Sequence, residues 1–294
     1  MSSFDKLLVL NRDVLARLPI VRGAAAGYLL GRRPLRLADL PEQTRYACSY
    51  ALTSEKRLPS FEQVMDHMSG YIGAGYYGPN KYWEYPWVLT NLDLKPGLKV
   101  LDAGCGTSPP QYTFARLGCD VEGVDPNEGV EWHGIDRNLA KRFGVTNQYR
   151  VESMEKMSFD DNTFDRVACI SVIEHCRETP AEDEFRSPQT DDDRALQLRM
   201  MREMVRVLKP GGRLVLTTDV WIARDNCPAE ALIDVANLLS VEGVRALEPR
   251  CDEPLPGEDG FDPHRLIQNG DIDIVCHGDL LQTSVGITLQ KVAG

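Results

Sequence analysis

The sequence lacks the cysteine patterns of a zinc site or a disulfide framework. Its eight cysteines are scattered through 294 residues, and no two of them form a Cys-x-x-Cys pair. No group of cysteines and histidines has zinc-ligand spacing. Several cysteines lie in apolar runs that are typical of strands. We interpret them as buried thiols of a reducing compartment and expect a cytoplasmic protein without a metal site.

Long apolar runs and basic charge are scarce as well. No apolar run is long enough to span a bilayer, and no secretory signal pattern is present. We therefore expect neither a transmembrane segment nor a secretory signal. The net charge is −11, from 33 Lys and Arg against 44 Asp and Glu. Non-specific nucleic-acid binding requires a basic surface, so nucleic acid is not expected as a partner. The remaining class is an ordinary globular protein.

The N-terminal part differs in charge from the rest. Residues 1–36 are locally basic and have the apolar spacing of amphipathic helices. Weak contact with a membrane surface or an acidic partner is one interpretation. The one we favour is a helix packed on the rest of the protein, or a mobile arm. Apolar periodicity predicts helix over 40–72, and we take residues 1–79 as an N-terminal helical extension or lid.

A glycine turn after the apolar run 98–101 is the most informative stretch. The run ends at Asp102, Gly104 and Gly106 follow, and Pro109 opens a helical pattern. Glycine permits positive φ and a close ligand approach, and proline costs little at the first helical position. The pattern therefore predicts strand, tight turn and helix. In open α/β sheets ligands bind beyond the carboxyl ends of the strands, where this turn would lie.

An acid at the end of the next predicted strand suits the same ligand. Asp125 lies about 20 residues after the turn, a spacing at which a carboxylate can accept both hydroxyls of an adenosine ribose. The alternative is a helix-capping acid. We favour the ribose role because spacing and strand-end position agree. Pro109 stands where a dinucleotide fingerprint needs its third glycine, so a pyrophosphate site is not expected.

Strand and helix patterns alternate from 98 to 218, which implies a parallel sheet covered on both faces. Two further strands, 271–276 and 284–290, close the chain. Asn80 is a plausible N-cap for a helix over 80–91. The strongly acidic stretch 177–193 predicts a mobile loop or lid, because such charge runs are usually solvated. A metal cluster there is the sharper but less favoured alternative.

Five blocks in order resemble the class I S-adenosylmethionine-dependent methyltransferases, of the broad group that contains small-molecule methyltransferases. These blocks are 100–107, 124–125, 159–165, 171–175 and 203–212. The resemblance covers roughly residues 80–218. It implies an α/β fold, a Rossmann-like three-layer sandwich with a mostly parallel seven-stranded sheet and an antiparallel last strand. The S-adenosylmethionine-binding domain would span 80–294, with insertions at 177–193 and 220–271.

The resemblance also implies cofactor-binding roles by position. The pocket for the methionine and ribose parts of S-adenosylmethionine would be shaped by Asp102, Gly104 and Gly106. The ribose diol would be held by Asp125.

Three more residues would complete the cofactor site. Ser153 and Met154 would edge the adenine, where the family commonly has an acid followed by a small residue. The backbone N–H of Met154 would face the adenine ring, and Ser153 would offer a weaker hydrogen bond. Ser171 would present backbone near the methionine end.

Methyl transfer is an in-line displacement, so the protein mainly aligns the acceptor, the methyl group and the sulfur. A hydroxyl acceptor would also need a base. His175 is our first candidate because its intrinsic pKa suits proton transfer near neutrality; Asp219 and Glu174 are further candidates. Side chains considered for the acceptor pocket are Tyr76, Tyr77, Tyr82 and Trp221.

The acceptor is expected to be small or medium-sized. A hydroxyl of a sugar, lipid or secondary metabolite, a nitrogen and a carbon centre all stay open, as does the oligomeric state. One alternative function is a cofactor-binding protein without transferase activity that acts as a regulator or partner. Another is an NAD-dependent oxidoreductase, which Pro109 disfavours.

Overall fold

The computed structural model describes residues 28–31, 35–71, 74, 78–127, 135–145, 148–179, 183, 186–223 and 233–292. Most of the basic N-terminal stretch lies outside these ranges, as do Tyr76 and Tyr77. The expectations for these residues, including the membrane-surface contact, therefore stay predictions. Residues 224–232 of the insertion 220–271 lie outside these ranges as well.

One sheet organises the described residues. Its nine strands are β1 (Cys48–Tyr50), β2 (Lys99–Ala103), β3 (Asp120–Asp125), β4 (Gln148–Val151), β5 (Phe164–Ile170), β6 (Leu208–Ala223), β7 (Val244–Ala246), β8 (Val275–His277) and β9 (Leu280–Lys291). The main path has the order β1-β9-β6-β5-β2-β3-β4, and β7 and β8 each pair with β9. Seven strands thus form the path, and two short ones extend it at β9.

Helices lie between these strands. Their bounds are α1 (Thr53–Lys56), α2 (Pro59–Met68), α3 (Lys81–Asn91), α4 (Pro109–Arg116), α5 (Arg137–Arg142), α6 (Asp191–Val207), α7 (Val235–Leu239) and α8 (Pro263–Gln268). Two 3-10 turns cover Leu37–Asp39 and Ile173–His175. Among the described residues, no helix combines the length and the apolar character needed to cross a membrane.

Strand pairing confirms the predicted α/β fold class. β2 is parallel to β3 and β5, and the outer pairs β3–β4 and β5–β6 are parallel too. β9 runs antiparallel to β6. Two apolar clusters are buried, one containing side chains of α6 and the other side chains of α2, α3 and α4. Apolar side chains of parallel strands are buried on both faces in this architecture.

The N-terminal region contains a strand where the sequence predicted helix. β1 pairs with β9, with Cys48 opposite Ile287 and Tyr50 opposite Val285. An edge strand carries unpaired N–H and C=O groups, and β1 satisfies those of β9. Helix α2 lies within the predicted helical stretch. Because β1 precedes residue 79 yet belongs to the sheet, the division of the chain at that residue stays a prediction.

The C-terminal strands extend beyond the predicted limits. β6 continues past Thr218 and pairs with β9 as far as Ala223 opposite Leu280. Asp219 interrupts the apolar run, which is why the sequence pattern ended the strand at Thr218. The closing strand expected at 271–276 is observed as β8, shifted toward the turn before β9. The paired residues 219–223 of β6 and 280–284 of β9, which we call the β6–β9 extension, lie beyond Ile170, the last residue of β5 that pairs with β6.

The acidic stretch 177–193 ends inside a helix, which corrects the prediction of a loop throughout. Asp191 and Asp193 belong to the first turn of α6. The Asp193 carboxylate accepts the Thr190 N–H at 2.9 Å, and the Thr190 hydroxyl accepts the Asp193 N–H at 3.2 Å. Acids in a first helical turn are stabilised by the helix dipole. Among the described residues, no group of three or more His, Cys, Asp or Glu is arranged to hold a metal ion.

Candidate functional site

The glycine turn follows β2 in the backbone conformation that the sequence predicts. Gly104 has φ +74° and Gly106 has φ +46°. A Cβ atom at residue 104 would lie 2.7 Å from Cγ1 of Val172, closer than atoms pack. The N–H groups of Gly104 and Cys105 both donate to the Val124 carbonyl, at 2.8 and 3.0 Å. The turn is therefore held against β3, and residue 104 has to be glycine because the Val172 side chain packs where a Cβ atom would lie.

A buried glutamine supports this turn from inside. The Gln111 side-chain amide donates to the carbonyls of Cys105 at 3.0 Å, Gly106 at 3.2 Å and Ser108 at 3.1 Å. Sequence reasoning missed this residue, because polar residues in the first turn of a helix are common. Its position in the first turn of α4, after two prolines, is the one available hint. Gln111 therefore fixes the carbonyl groups of the turn, while the turn's N–H groups are held by Val124 and Asp125.

The glycine turn and the strand-tip acid are brought together, as the spacing predicts. Asp125 is 7% exposed. Its Oδ2 accepts the Gly106 N–H at 3.1 Å, and its Oδ1 accepts the Asn127 N–H at 2.9 Å. A carboxylate has about four acceptor sites, so two of them stay available for hydroxyl donors. Its role in holding a ribose stays a prediction.

Asp102 lies behind the turn and carries an unsatisfied oxygen. The side chain is 2% exposed, and Oδ2 has no hydrogen-bond partner in the described part of the chain. Burial, with a smaller contribution from the nearby Asp125 charge, raises the pKa of Asp102 to about 7. A buried acceptor without a donor costs free energy, and a ligand that donates a hydrogen bond there would remove the cost.

The raised pKa of Asp102 predicts how the stability of the ligand-free protein depends on pH. Unfolded chains release this proton near the ordinary Asp value, whereas the folded protein keeps it up to about pH 7. Between these values the folded state binds more protons, so the free energy of unfolding falls as the pH rises. Urea unfolding at about pH 5 and about pH 7 should show a smaller fall in Asp102→Asn than in the wild type. An equal fall in both proteins would contradict this assignment.

The two residues predicted to edge the adenine have different surroundings. Ser153 is exposed, and its hydroxyl accepts the Glu155 N–H at 3.2 Å. The Met154 side chain is buried in the core, with its sulfur 4.0 Å from Sγ of Cys169. Contact through the Met154 backbone stays a prediction.

Ser171 follows β5 in a left-handed conformation and anchors a polar contact with α3. Its φ is +49°, and its N–H donates to the Thr217 carbonyl at 3.0 Å. Its hydroxyl donates to Oε1 of Glu84 at 2.6 Å and accepts from the Lys81 ammonium. Lys81 also pairs with Oε2 of Glu84 at 2.6 Å. For Lys81 and Glu84, the sequence offers only one hint of this contact, their spacing of three residues in a predicted helix that is rich in aromatic residues.

Asp219 is buried and already carries several protein donors. The Asn80 side-chain amide lies 2.8 and 3.1 Å from its two oxygens, and the Ser284 hydroxyl donates to Oδ1 at 2.9 Å. Asn80 is the N-cap residue of α3, as predicted, but its side chain makes no capping hydrogen bond. Its amide is used to tie α3 to β6 instead. The base role of Asp219 stays a prediction.

The other base candidates lie on the 3-10 turn after β5. His175 is exposed at the rim, with Nε2 4.0 Å from Oε1 of Glu174, too far for a hydrogen bond. Glu174 is buried, and its Oε1 accepts the Asp219 N–H at 2.9 Å. Burial, followed by the Asp219 charge, raises the pKa of Glu174 to about 8. The base role of His175 also stays a prediction.

Two described side chains proposed for the acceptor pocket lie in different settings. The Trp221 ring is partly buried on the extended part of β6, with its centroid 5.4 Å from that of His277 in β8. Tyr82 is 48% exposed on α3. Trp221 therefore belongs to the β6–β9 extension, and Tyr82 faces solvent.

The fold defines an α/β domain of the Rossmann-like class. The glycine turn after β2, the acid at the tip of β3 and the polar group after β5 all lie at the carboxyl edge of a parallel sheet. Residues 101–216 match a family model described as a methyltransferase domain. Over this segment, which includes the glycine turn and Asp125, the chain is similar to S-adenosylmethionine-dependent methyltransferase domains.

Curated relatives differ in the atom they methylate. A ubiquinone biosynthesis O-methyltransferase of Xanthomonas euvesicatoria is 32% identical over 133 residues, which cover 45% of this chain and 47% of the relative. A sterol 24-C-methyltransferase of Yarrowia lipolytica is 30% identical over 140 residues, covering 47% and 32%. Phosphoethanolamine N-methyltransferase 3 of Arabidopsis thaliana is 29% identical over 127 residues, covering 43% and 22%. The match thus spans less than half the length of each relative.

Proposed function

We propose that this protein transfers the methyl group of S-adenosylmethionine to a small or medium-sized acceptor. The observation that carries the proposal is the hydrogen bond from the Gly106 N–H to Oδ2 of Asp125 at 3.1 Å. This hydrogen bond joins the glycine turn and the strand-tip acid at one edge of the sheet. An adenosyl group needs both parts, one for close backbone approach and the other for its ribose hydroxyls.

Two features of the pocket fit this cofactor. The buried Oδ2 of Asp102 has no donor within the described ranges, and the cofactor offers an ammonium group and hydroxyls as donors. The positive φ of Gly104 and Gly106 gives the tight turn that a close backbone approach of the ligand requires. In this proposal Asp102, Gly104 and Gly106 shape the pocket and Asp125 holds the ribose. The remaining contacts come from the backbone of Ser171 and of the pair Ser153 and Met154.

The bound cofactor supplies a methyl group that is already activated as a sulfonium. The protein then has to hold the acceptor in line with it, and positioning can supply several kcal/mol of the barrier reduction, up to about 7–11 in the best-oriented cases. The β6–β9 extension, which includes Trp221, forms one side of the acceptor site in this proposal. His175, at the solvent-exposed rim, is the candidate base for a hydroxyl acceptor, with Asp219 as the second candidate.

The acceptor is a small molecule in this proposal, and nucleic acid is not a partner. The net charge of −11 supports that exclusion. Hydroxyl, nitrogen and carbon acceptors all occur in the names of the relatives, so the relatives do not select among them. The buried free thiols of Cys48, Cys105, Cys119 and Cys169 support our placing of the protein in the cytoplasm.

Calorimetric titration with S-adenosylmethionine and with NAD tests the proposal. We expect S-adenosylmethionine to bind at micromolar concentrations and NAD not to bind, because Pro109 replaces the glycine that a pyrophosphate requires. Binding of NAD without binding of S-adenosylmethionine would overturn the proposal in favour of an oxidoreductase.

A cofactor-binding regulator without transferase activity is the second candidate function. Incubation with methyl-labelled S-adenosylmethionine and an extract of the source organism separates the two. A labelled product that depends on the protein supports the transferase. Binding of the cofactor without labelling of any extract component supports the regulator.

A further inference from the structure

Three buried acids lie together beside the glycine turn. Glu84, Glu174 and Asp219 are 0%, 7% and 6% exposed and come from α3, the turn after β5 and β6. We refer to these three residues as the acid cluster. The Asp219 N–H donates to Glu174, and Ser171 bridges Glu84 to the end of β5. Side chains from three separate elements thus converge on one place.

The acid cluster lies where methyl transfer would occur. Ser171 and Glu174 follow β5 directly, and Asp219 lies near the carboxyl end of β6, the neighbouring parallel strand. Val172, between Ser171 and Glu174, contacts the glycine turn so closely that a Cβ at Gly104 would strike it. One residue therefore separates the turn from the acid cluster.

Negative charge exceeds positive charge in this cluster. Lys81 is the one ammonium or guanidinium group that contacts its members within the described ranges, through its pair with Glu84 at 2.6 Å. Three carboxylates and one ammonium leave an excess of two negative charges when all are ionised. Buried charge without a counter-charge is costly. Burial raises the pKa of Glu84 and of Glu174, which is the response of acids that lack a cation.

Two polar atoms of this region also lack partners. Oε2 of Glu174 is buried and has no donor among the described residues, although Oε1 is bonded. The Thr217 hydroxyl is fully buried and likewise has no partner there. Thr217 lies two residues before Asp219 on β6, so both side chains are on the same face of the strand. Unsatisfied buried acceptors beside an uncompensated charge point to a ligand that donates hydrogen bonds and is cationic.

We propose that the acid cluster is a cation subsite at the methyl-transfer point, and that the acceptor is an amine bound as its ammonium ion. This inference rests on the proposed methyltransferase function and names its acceptor class. The sulfonium of the cofactor and one ammonium group together offset the two excess negative charges. With the sulfonium bound, a hydroxyl acceptor would leave one negative charge uncompensated, and a carboxylate acceptor would leave two.

The acid cluster also accounts for the proton that an amine must lose before it can react. The ammonium gives one proton to Glu174, which becomes a neutral carboxylic acid. The nitrogen lone pair then forms the C–N bond while the C–S bond breaks, and the electron pair of that bond stays on sulfur. The products are the methylated ammonium and the neutral thioether. Glu174 afterwards returns its proton to water.

Paired ligands test the subsite without a known acceptor. S-adenosylhomocysteine is neutral at sulfur, whereas sinefungin carries an ammonium group in place of the methylsulfonium. We expect calorimetry to show sinefungin binding about tenfold more tightly in the wild type. The Glu174→Gln change should remove most of that preference and leave the Kd of S-adenosylhomocysteine unchanged. Glutamine keeps the acceptor for the Asp219 N–H and removes only the charge.

Glu122→Gln is the matched control, because Glu122 is an equally buried acid on β3 that pairs with Lys99 at 3.0 Å. Its sinefungin preference should equal that of the wild type. Glu84→Gln is the second test variant should Glu174→Gln not fold. S-adenosylhomocysteine binding with an unaltered preference in the folded variants would overturn the cation subsite alone. Failure of the wild type to bind either ligand would overturn the proposed function as well.

A second measurement uses the wild-type protein. Methyl-labelled S-adenosylmethionine is incubated with a metabolite extract of the source organism, and the labelled product is passed over a cation-exchange column at neutral pH. Retention of the label as a cationic product is the expected result. A labelled product that is neutral or anionic would overturn the amine acceptor.

Discussion

Replacing Asp125 by alanine is expected to weaken the binding of S-adenosylhomocysteine by about 100-fold or more. Two charge-assisted hydrogen bonds to the ribose diol would be lost, each worth about 1.5–3 kcal/mol. The carboxylate also accepts the N–H groups of Gly106 and Asn127, so its removal frees the glycine turn. Both effects weaken ligand binding and leave the packing of the hydrophobic core unchanged. Calorimetric titration of the variant measures the loss.

Asp120→Ala is the matched control for this change, because Asp120 is the exposed first residue of the same strand. Its affinity for S-adenosylhomocysteine should equal that of the wild type. A thermal unfolding curve separates loss of binding from loss of fold. Wild-type affinity in Asp125→Ala would show that the ribose is held elsewhere.

The Gly104→Ala substitution is expected to have the second large effect, on stability and on ligand binding together. The residue has φ +74°, and the new Cβ would meet Cγ1 of Val172 at 2.7 Å. A left-handed conformation costs alanine about 1–2 kcal/mol, and the steric overlap adds about 1–3 kcal/mol. The free energy of unfolding in urea should therefore fall by about 2–5 kcal/mol. The displaced turn should also lose affinity for S-adenosylhomocysteine.

A comparison with Gly97→Ala separates the cost of the left-handed backbone from the cost of the steric overlap. Gly97 has φ +85°, and no atom lies within 4 Å of the place that its Cβ would occupy. Gly97→Ala should cost only the backbone term, about 1–2 kcal/mol, and should leave ligand binding intact. If Gly104→Ala were no more destabilising than Gly97→Ala, the close contact with Val172 would not constrain the turn.

The part of the site that the sequence predicts is the part built from local structure. A strand, a glycine turn and a helix are neighbours along the chain, so Gly104 and Gly106 could be identified from pattern alone. Asp125 could be identified because parallel strands of similar length place their ends at one edge. In both cases the covalent chain fixes the spacing of the groups.

The acid cluster was only partly predictable, because its contacts depend on tertiary packing. Glu174 and Asp219 were candidates from their strand-end positions. Nothing in the sequence joined them to Glu84 and Lys81, which lie on a helix that precedes the first strand of the parallel sheet. Asn80 shows the same limit. It is a residue typical of helix caps, but its side-chain amide donates to Asp219, which lies 139 residues away in the sequence.

Strand prediction failed where tertiary pairing overrides local pattern. β1 is three residues long and lies in a stretch of mixed periodicity, and it is a strand because β9 offers an edge. β6 continues through a buried acid because Asn80 and Ser284 satisfy the Asp219 carboxylate. Residue preference alone predicts neither outcome.

Our central claim is that the edge formed by the glycine turn and Asp125 holds the cofactor. A crystal structure with S-adenosylhomocysteine tests it most directly. We predict both ribose hydroxyls within about 3 Å of the Asp125 carboxylate, and the homocysteine part along the Gly104 to Gly106 backbone. A nucleoside bound away from Asp125, with the turn unoccupied, would contradict the claim.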